Sequence, residues 1–147
     1  MRALVIAAAA VAGCATAPVA HDVQRTARMS ATVDATWQAL VDVIAERNWP
    51  VKQLDRSSGL AMIDWMAAPE YTADCGSVPL ASEGPIRARF SARIRAAGSG
   101  SEIEINATFQ RTREIAGSVA VIECTSKGAL EVAIQEMTAN HVRPPDP

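Results

Sequence analysis

The chain has 147 residues, which is enough for one domain with a modest core and too few for two ordinary ones. Apolar residues make up 49 % of it, charged residues 20 % and aromatic residues 4 %, and the formal net charge is −2. This balance excludes a disordered chain and a basic nucleic-acid-binding module, and it predicts a globular domain.

The N-terminal residues are typical of an export signal. Arg2 gives a positive start, residues 3–11 form an unbroken apolar run, and small residues close the segment. The run is too short to span a bilayer, which takes about 20 residues. Residues 1–13 are therefore predicted to be a cleaved signal peptide. The alternative is an apolar N-terminal helix of the core that happens to contain a cysteine.

The tetrapeptide Val11-Ala12-Gly13-Cys14 resembles the lipobox of bacterial lipoproteins. The resemblance implies cleavage before Cys14, a thioether-linked diacylglycerol on its sulfur, and a fatty acid such as palmitate on the new amino group. Acyl chains of this kind hold a domain stably on a membrane. Ala15 stands where an aspartate would signal inner-membrane retention, so we expect the periplasmic face of the outer membrane.

The two remaining cysteines, Cys75 and Cys124, are predicted to form a disulfide. Export places them in an oxidising compartment, where a leftover pair can be joined in only one way. The alternative is a metal pair, but neither cysteine lies in a Cys-x-x-Cys motif or near a histidine in the sequence. The enclosed loop would stabilise the fold by about 4 kcal/mol in the chain-entropy model.

The segment after Cys14 predicts a tether, a strand and a helix. Residues 14–22 are mostly small or polar, with one proline, and are predicted to be a lipidated tether. Residues 23–31 give a weak strand signal. Thr32 or Asp34 then caps a helix with apolar residues at helical spacing, and Asn48 suits a left-handed end of that helix.

A hairpin and an insertion follow. Residues 51–54 and 60–66 predict two short strands around a tight turn. Residues 67–85 contain three prolines, two glycines and a cysteine, and they predict a long irregular segment.

The clearest pattern in the chain is strict alternation of apolar and polar residues. It runs through residues 86–96 and again through 103–110, with a glycine-rich turn at residues 97–100 between them. Alternation of period two predicts two half-buried strands joined as a hairpin. Residues 112–124 are ambiguous, with one candidate strand at residues 119–123.

The C-terminal part predicts a helix followed by a tail. Ser126 can cap this helix. Its apolar face would comprise Leu130, Ala133, Ile134 and Met137. Residues 142–147 contain three prolines and are predicted to be a disordered tail. Residues 23–141 would then form a single α+β domain, an antiparallel β-sheet with an N-terminal and a C-terminal helix on one face.

The order of these elements resembles the helix-grip arrangement, in which a curved antiparallel sheet wraps a C-terminal helix. Several segments are similar to those of small outer-membrane lipoproteins of the BamC-like (NlpB-type) group: Ala35–Leu40 around Trp37, Trp49-Pro50-Val51, Asp55–Gly59 leading to Ile63-Asp64-Trp65, Asp74–Gly76 and Cys124–Glu131. The resemblance covers about residues 25–140. It implies an accessory or structural role in envelope assembly, because BamC accompanies the machine that inserts β-barrels into the outer membrane.

Four arginines follow the outer face of the first long strand: Arg87, Arg89, Arg93 and Arg95. The predicted hairpin register pairs Arg95 with Glu102 and Arg93 with Glu104, which offsets half of the charge. One interpretation is a face for an anionic partner, such as lipid A phosphates or an acidic protein surface. The other is a solvated outer face of the sheet.

Aromatic residues offer two interpretations as well. The residues concerned are Trp37, Trp65, Phe90 and Phe109. They could line an apolar ligand cleft between the sheet and a helix, or they could simply form the core of a domain with few aromatics.

No catalytic or metal-binding constellation is visible in the sequence. His21 and His141 lie at the chain ends without a nucleophile in a triad context. The candidate acids are expected to form turns and to be solvated. They are Asp55, Asp64, Glu70 and Asp74.

We therefore expect a non-enzymatic, lipid-anchored, periplasm-facing lipoprotein without a cofactor, a metal or a nucleic-acid partner. Its partners would be the membrane and envelope assembly proteins. The alternative is a binding module for a small apolar or lipid ligand in a sheet–helix cleft.

Overall fold

The fold is known from a computed structural model that describes residues 14–142. The predicted signal peptide at residues 1–13 and residues 143–147 of the predicted tail lie outside the described residues. The elements in chain order are β1 (Thr26–Met29), α1 (Val33–Glu46), β2 (Val51–Asp55), β3 (Leu60–Ala67), a short 3₁₀ helix (Glu70–Thr72), β4 (Ala73–Asp74), β5 (Ser82–Glu83), β6 (Arg87–Ala97), β7 (Gly100–Ile115), β8 (Ser118–Ser126) and α2 (Ala129–Val142).

The strands form an antiparallel sheet whose main order is β2-β3-β6-β7-β8-β4. The strand at its centre, β7, also pairs with β1 and β5, so it hydrogen-bonds with four other strands. Helices α1 and α2 pack on each other and on the inner face of β6 and β7. The α+β prediction, with both helices on one face of an antiparallel sheet, is confirmed.

The first helix begins and ends where its sequence signals indicate. Of the two candidate caps, Thr32 is the one used, because its hydroxyl accepts a hydrogen bond from the Ala35 N–H at 3.3 Å. Asn48 follows the helix with a φ of 51°, the left-handed conformation that asparagine tolerates. The apolar stripe between these points turns Leu40, Val43 and other residues toward the sheet.

The core lies between the inner face of the sheet and the two helices. Its fully buried apolar side chains include Leu40, Val43, Ile86, Ile103, Ile105, Phe109 and Ile134. One polar contact crosses this layer, a 2.7 Å hydrogen bond between the hydroxyls of Thr36 on α1 and Ser101 on β7. The Thr36 hydroxyl donates to Ser101, and the Ser101 hydroxyl donates to the Ala31 carbonyl at 2.9 Å, so the pair is buried without an unpaired polar group.

The hairpin of β6 and β7 has the predicted register. Arg95 lies opposite Glu102 and Arg93 opposite Glu104, with a two-residue turn at Gly98 and Ser99. Gly98 has a φ of 61°, which glycine adopts without strain. The register prediction is confirmed: every inner position of this hairpin is apolar or small, and every outer position is polar except the pair Ala97 and Gly100 next to the turn.

The second hairpin, β7 with β8, is longer than predicted. Residues 110–124 gave a weak signal because the alternation is reversed there. Arg111 and Arg113 point to the inner face, where apolar residues are expected, while Val119 and Val121 are exposed on the outer face. The inward arginines are retained because residues of the insertion bind them, as described below.

The second helix extends to Val142, so the predicted tail began one residue too early. Ser126 was predicted to cap this helix, but it lies at the end of β8, and its hydroxyl accepts a hydrogen bond at 2.9 Å from the N–H of Gly128, which precedes the helix. The same hydroxyl bonds the fully buried carboxylate of Glu131 at 2.7 Å. Within residues 14–142, no helix combines the length and apolar character needed to cross a bilayer.

Candidate functional site

The arginine row lies on the outer face of β6, as predicted, and it divides into two halves. At one end the Arg95 guanidinium donates to the Glu102 carboxylate from Nε at 2.8 Å, and Glu104 lies 4.0 Å away. This hydrogen bond raises the pKa of Arg95, with the charge of Glu102 as the next cause. Arg93 lies opposite Glu104 in the ladder, so the two arginines of this half are matched by two glutamates.

The other half of the row is built around an indole ring. The guanidinium carbons of Arg87 and Arg89 lie 5.9 and 4.8 Å from the centre of the Trp65 ring. Thr108 and Gln110 face these arginines across the ladder, so the neighbouring strand supplies no carboxylate. The ring fixes both cations in place and leaves their charge available to a partner.

The position of Trp65 corrects the prediction that it lines a cleft or the core. Simple alternation from Ile63 would turn Trp65 inward. The pairing of β3 with β6 shifts between Ile63 and Met66, which is a β-bulge, and the extra residue moves Trp65 to the outer face. The other aromatic predictions for the core are confirmed: Trp37, Phe90 and Phe109 are buried.

A groove of about 280 Å³ lies on the outer face beside Arg89. Its lining residues are Lys52, Met62, Ile63, Arg89, Phe90, Ser91, Asn106 and Thr108. The two cations, Lys52 and Arg89, suit a carboxylate or a phosphate group, and the apolar residues suit the adjoining carbon atoms of a ligand. We call this groove, together with Arg87 and Trp65, the arginine face.

A second cavity, of about 330 Å³, separates α2 from the chain that follows β3. Its lining is largely apolar and includes Trp49, Met66, Tyr71, Leu130 and Met137. The Trp49 ring packs edge-to-face on Phe90 with centroids 5.2 Å apart. A sheet–helix cleft therefore exists, but its aromatic lining differs from the one expected from the sequence.

The disulfide prediction is confirmed. Cys75 and Cys124 are bonded with an S–S distance of 2.04 Å and a Cα–Cα distance of 4.3 Å. The bond joins the insertion to β8, next to the short pairing of β4 with β8. It rules out the alternative in which these two sulfurs hold a metal.

The two inward-facing arginines of β7 bind the insertion, residues 67–85, which was predicted to be irregular. The Arg113 guanidinium donates to the Glu83 carboxylate at 2.6 Å and to the carbonyl of Cys75 at 3.0 Å. Arg111 forms a paired contact with Glu70, with both N–O distances at 3.1 Å. These partners lie 27 to 41 residues from the arginines in the sequence, so no local pattern could have indicated them.

The predicted tether runs along the surface of the insertion. Thr16 and Ser77 exchange both backbone hydrogen bonds, at 2.8 and 2.9 Å. The Val19 N–H donates to the Asp74 carboxylate at 3.0 Å, and the Thr125 hydroxyl donates to the Val19 carbonyl at 2.6 Å. Residues 16–19 are therefore bound to the domain, and Cys14 stands two residues from the first contact.

Of the candidate acids, Asp55 takes the turn-forming role predicted for it, whereas Asp74 and Glu70 bind groups from distant segments. Ser57 and Ser58 donate hydrogen bonds to Asp55, which lowers the pKa of that carboxyl to about 2. The pKa of Asp74 is lowered because the N–H groups of Val19 and Gly76 donate to it. Asp55 forms a turn, and Asp74 holds two chain segments together.

The two histidines lie far apart in the sequence and each faces one carboxylate. His21 Nε2 is 3.6 Å from Asp74, and His141 Nε2 is 3.0 Å from Glu46. The hydrogen bond that His141 donates to the Glu46 carboxylate raises the pKa of His141. Over residues 14–142, no three histidine, cysteine, aspartate or glutamate side chains converge as metal ligands would.

Comparison with known proteins assigns no family to the chain. No model of a known protein family matches it, and no curated protein matches it significantly.

Proposed function

We propose that this protein is a non-enzymatic lipoprotein of the BamC-like, helix-grip type, anchored by Cys14 to the periplasmic face of the outer membrane. In this proposal it is an accessory or structural component of the envelope assembly apparatus. The observation that carries it is the lipobox cysteine, which is exposed at the end of a segment bound along the folded domain. A lipid at that position would hold the domain against the membrane surface.

The disulfide supports the proposed compartment. Disulfides persist in oxidising compartments and are rare in the cytosol. Cys75 is buried, and its bond to Cys124 encloses a sequence separation of 49 residues. A domain that is built around such a bond is suited to the periplasm.

The arginine face supports a role in binding an acidic protein surface. Arginine and tryptophan are the residues most enriched among those that dominate binding energy. Arg87 and Arg89 are already oriented by Trp65, so binding would cost little further side-chain entropy. The groove between Lys52 and Asn106 would accept a carboxylate of the partner.

A second candidate function is the binding of a small apolar or lipid ligand in the sheet–helix cleft. Its volume of about 330 Å³ is within the range of small-molecule sites. Ligand binding would change the emission of Trp49, which lines the cleft. A lipid extract that leaves this emission unchanged would count against this function and in favour of the accessory role.

The anchor is tested by replacing the lipobox cysteine. Cys14→Ala should abolish fatty-acid labelling and move the protein from the membrane fraction to an unprocessed or soluble periplasmic form, because no sulfur remains to carry the lipid. Ala15→Asp is the matched control, since it should keep the label but shift the protein to the inner membrane. Continued labelling of Cys14→Ala would contradict the proposed anchor.

The arginine face is tested by photo-crosslinking in intact cells. A crosslinking residue at Ser91, beside Arg89, should capture an acidic envelope protein, whereas one at the exposed Asp42 on α1 should not. Arg87→Glu with Arg89→Glu should reduce the capture roughly tenfold, because close charge pairs at an interface become repulsive. Equal capture by the charge-reversed protein would exclude the arginine face as the binding surface.

A further inference from the structure

One end of the sheet carries a group of exposed apolar side chains that the proposed function does not use. Leu80 is fully exposed, and Ile115, Val119 and Val121 are 44 %, 66 % and 63 % exposed. The chain is uncharged over residues 77–82 and again over 115–122. We call Leu80, Ile115 and Val119 the apolar tip.

The strand pairing brings the members of the apolar tip together. Ser82 on β5 pairs antiparallel with Glu114 on β7, so the chain from Ser82 back to Leu80 runs toward the turn after Ile115. Val119 on β8 pairs with the same Glu114 from the other side. The three residues thus lie near the same end of the sheet, with Ile115 on the inner face, Val119 on the outer face and Leu80 in the turn before β5.

The backbone at Leu80 takes a conformation that leucine rarely adopts. Residues 78–81 form a turn in which the Ala81 N–H donates to the Val78 carbonyl at 3.3 Å. Leu80 occupies the third position with a φ of 62°, where glycine or asparagine is favoured. A leucine in this conformation is strained, and its side chain packs on nothing within the domain. Contact of the Leu80 side chain with a surface outside the domain would explain both its exposure and its strained backbone.

The bound N-terminal segment indicates what lies outside. Thr16 pairs antiparallel with Ser77, so the chain from Thr16 back to Cys14 runs alongside the chain from Ser77 forward to Pro79. Two extended residues reach at most about 7 Å. Cys14 therefore lies beside the segment that leads into the Leu80 turn.

We propose that the apolar tip inserts into the interfacial layer of the same bilayer that receives the Cys14 lipid. The inference rests on the proposed lipid anchor. Once the lipid is inserted, the tip is held at high effective concentration beside the membrane, so a small apolar area suffices. Two contacts instead of one would fix the orientation of the domain. The 16 residues of β7 would then carry the turn at Gly98 up to about 50 Å from the membrane.

Hydrogen–deuterium exchange of the full chain tests this orientation. The protein is purified from membranes into phosphatidylethanolamine nanodiscs and compared with soluble Cys14→Ala. Amides of residues 78–83 and 115–120 should exchange about fivefold more slowly in the nanodisc, because the bilayer covers them. The turn at residues 55–59, at the far edge of the sheet, is the internal control and should exchange equally in both forms.

Two pairs of variants separate membrane contact from folding. Leu80→Asn keeps the left-handed turn and removes the apolar side chain, so it should lose the protection while the melting temperature is retained. Leu54→Asn, at an exposed leucine on β2, should keep the protection.

The second pair of variants tests the bound N-terminal segment. A Cβ at Gly76 would lie 2.2 Å from the Thr16 carbonyl oxygen, so Gly76→Ala should release this segment and lose the protection. Gly98 has a similar φ and open space around it, so Gly98→Ala should keep both the bound N-terminal segment and the protection.

The outcomes distinguish this inference from the anchor on which it rests. Intact-mass measurement that finds lipid on Cys14, together with equal exchange of the tip in both forms, overturns the tip contact and leaves the anchor standing. Protection of the control turn in the nanodisc would equally overturn the fixed orientation. A mature protein without lipid on Cys14 overturns both.

Discussion

Replacing Cys75 and Cys124 by serine should lower the free energy of unfolding by about 4 kcal/mol, since the sequence separation of 49 residues is released in the unfolded chain. The bond restricts that chain more than it strains the fold, and its loss lets the insertion detach from β8. Urea denaturation monitored by tryptophan fluorescence measures the change.

Reduction supplies the control for this prediction. Dithiothreitol should destabilise the wild-type protein by a similar amount and should leave the double-serine variant unchanged. An equal urea midpoint for the oxidised and reduced wild-type protein would show that the bond does not contribute to stability.

Arg113→Met should lower the free energy of unfolding by about 2 kcal/mol. The substitution removes a buried charge and leaves its hydrogen-bond partners without a donor. The Arg113 side chain is 9 % exposed and binds Glu83 and the carbonyls of Cys75 and Gly76. Methionine keeps much of the volume but offers no donor. The Glu83 carboxylate would keep only Arg111, at 3.2 Å.

Arg95→Met is the matched control for burial. Arg95 also forms an ion pair with a glutamate, but its side chain is 56 % exposed. Exposed pairs contribute less than about 1 kcal/mol, so this variant should unfold almost as the wild type does. Equal losses for the two variants would contradict the structural role assigned to Arg113.

The sequence was sufficient to predict the hairpin of β6 and β7. Every inner residue there is apolar or small and every outer residue except Ala97 and Gly100 is polar, so a shift by one residue would expose the apolar residues to water. The arginine–glutamate pairs follow from the same register. Helix α1 was predictable for a similar reason, since Thr32, the apolar stripe and Asn48 all indicate the same boundaries.

The features that escaped prediction depend on contacts between distant residues. Arg111 and Arg113 break the alternation of β7 because Glu70 and Glu83, from the insertion, satisfy them on the inner face. Trp65 faces outward because a bulge in β3 adds a residue to the ladder. The sequence around these residues indicates neither the carboxylate partners nor the bulge.

Some features of the candidate site were also predictable from the sequence, and others were not. The arginine row and its neutralised half were predicted, because both follow from the hairpin register. The stacking of Arg87 and Arg89 on Trp65 was not, since it requires the bulge. The apolar lining at Trp49 and Tyr71 was also missed, because residues from three separate segments meet there.

The central place of β7 also determines the order in which the fold can assemble. Thr26 pairs with Glu104, and Phe109 pairs with Cys124, so the first strand has no partner until three quarters of the chain is available. Sheets closed by such distant pairings fold slowly and expose unpaired strand edges meanwhile. The N-terminal end leaves a ribosome or a secretion channel first. We therefore expect a chaperone to shield the unpaired strand edges until residue 126 has emerged.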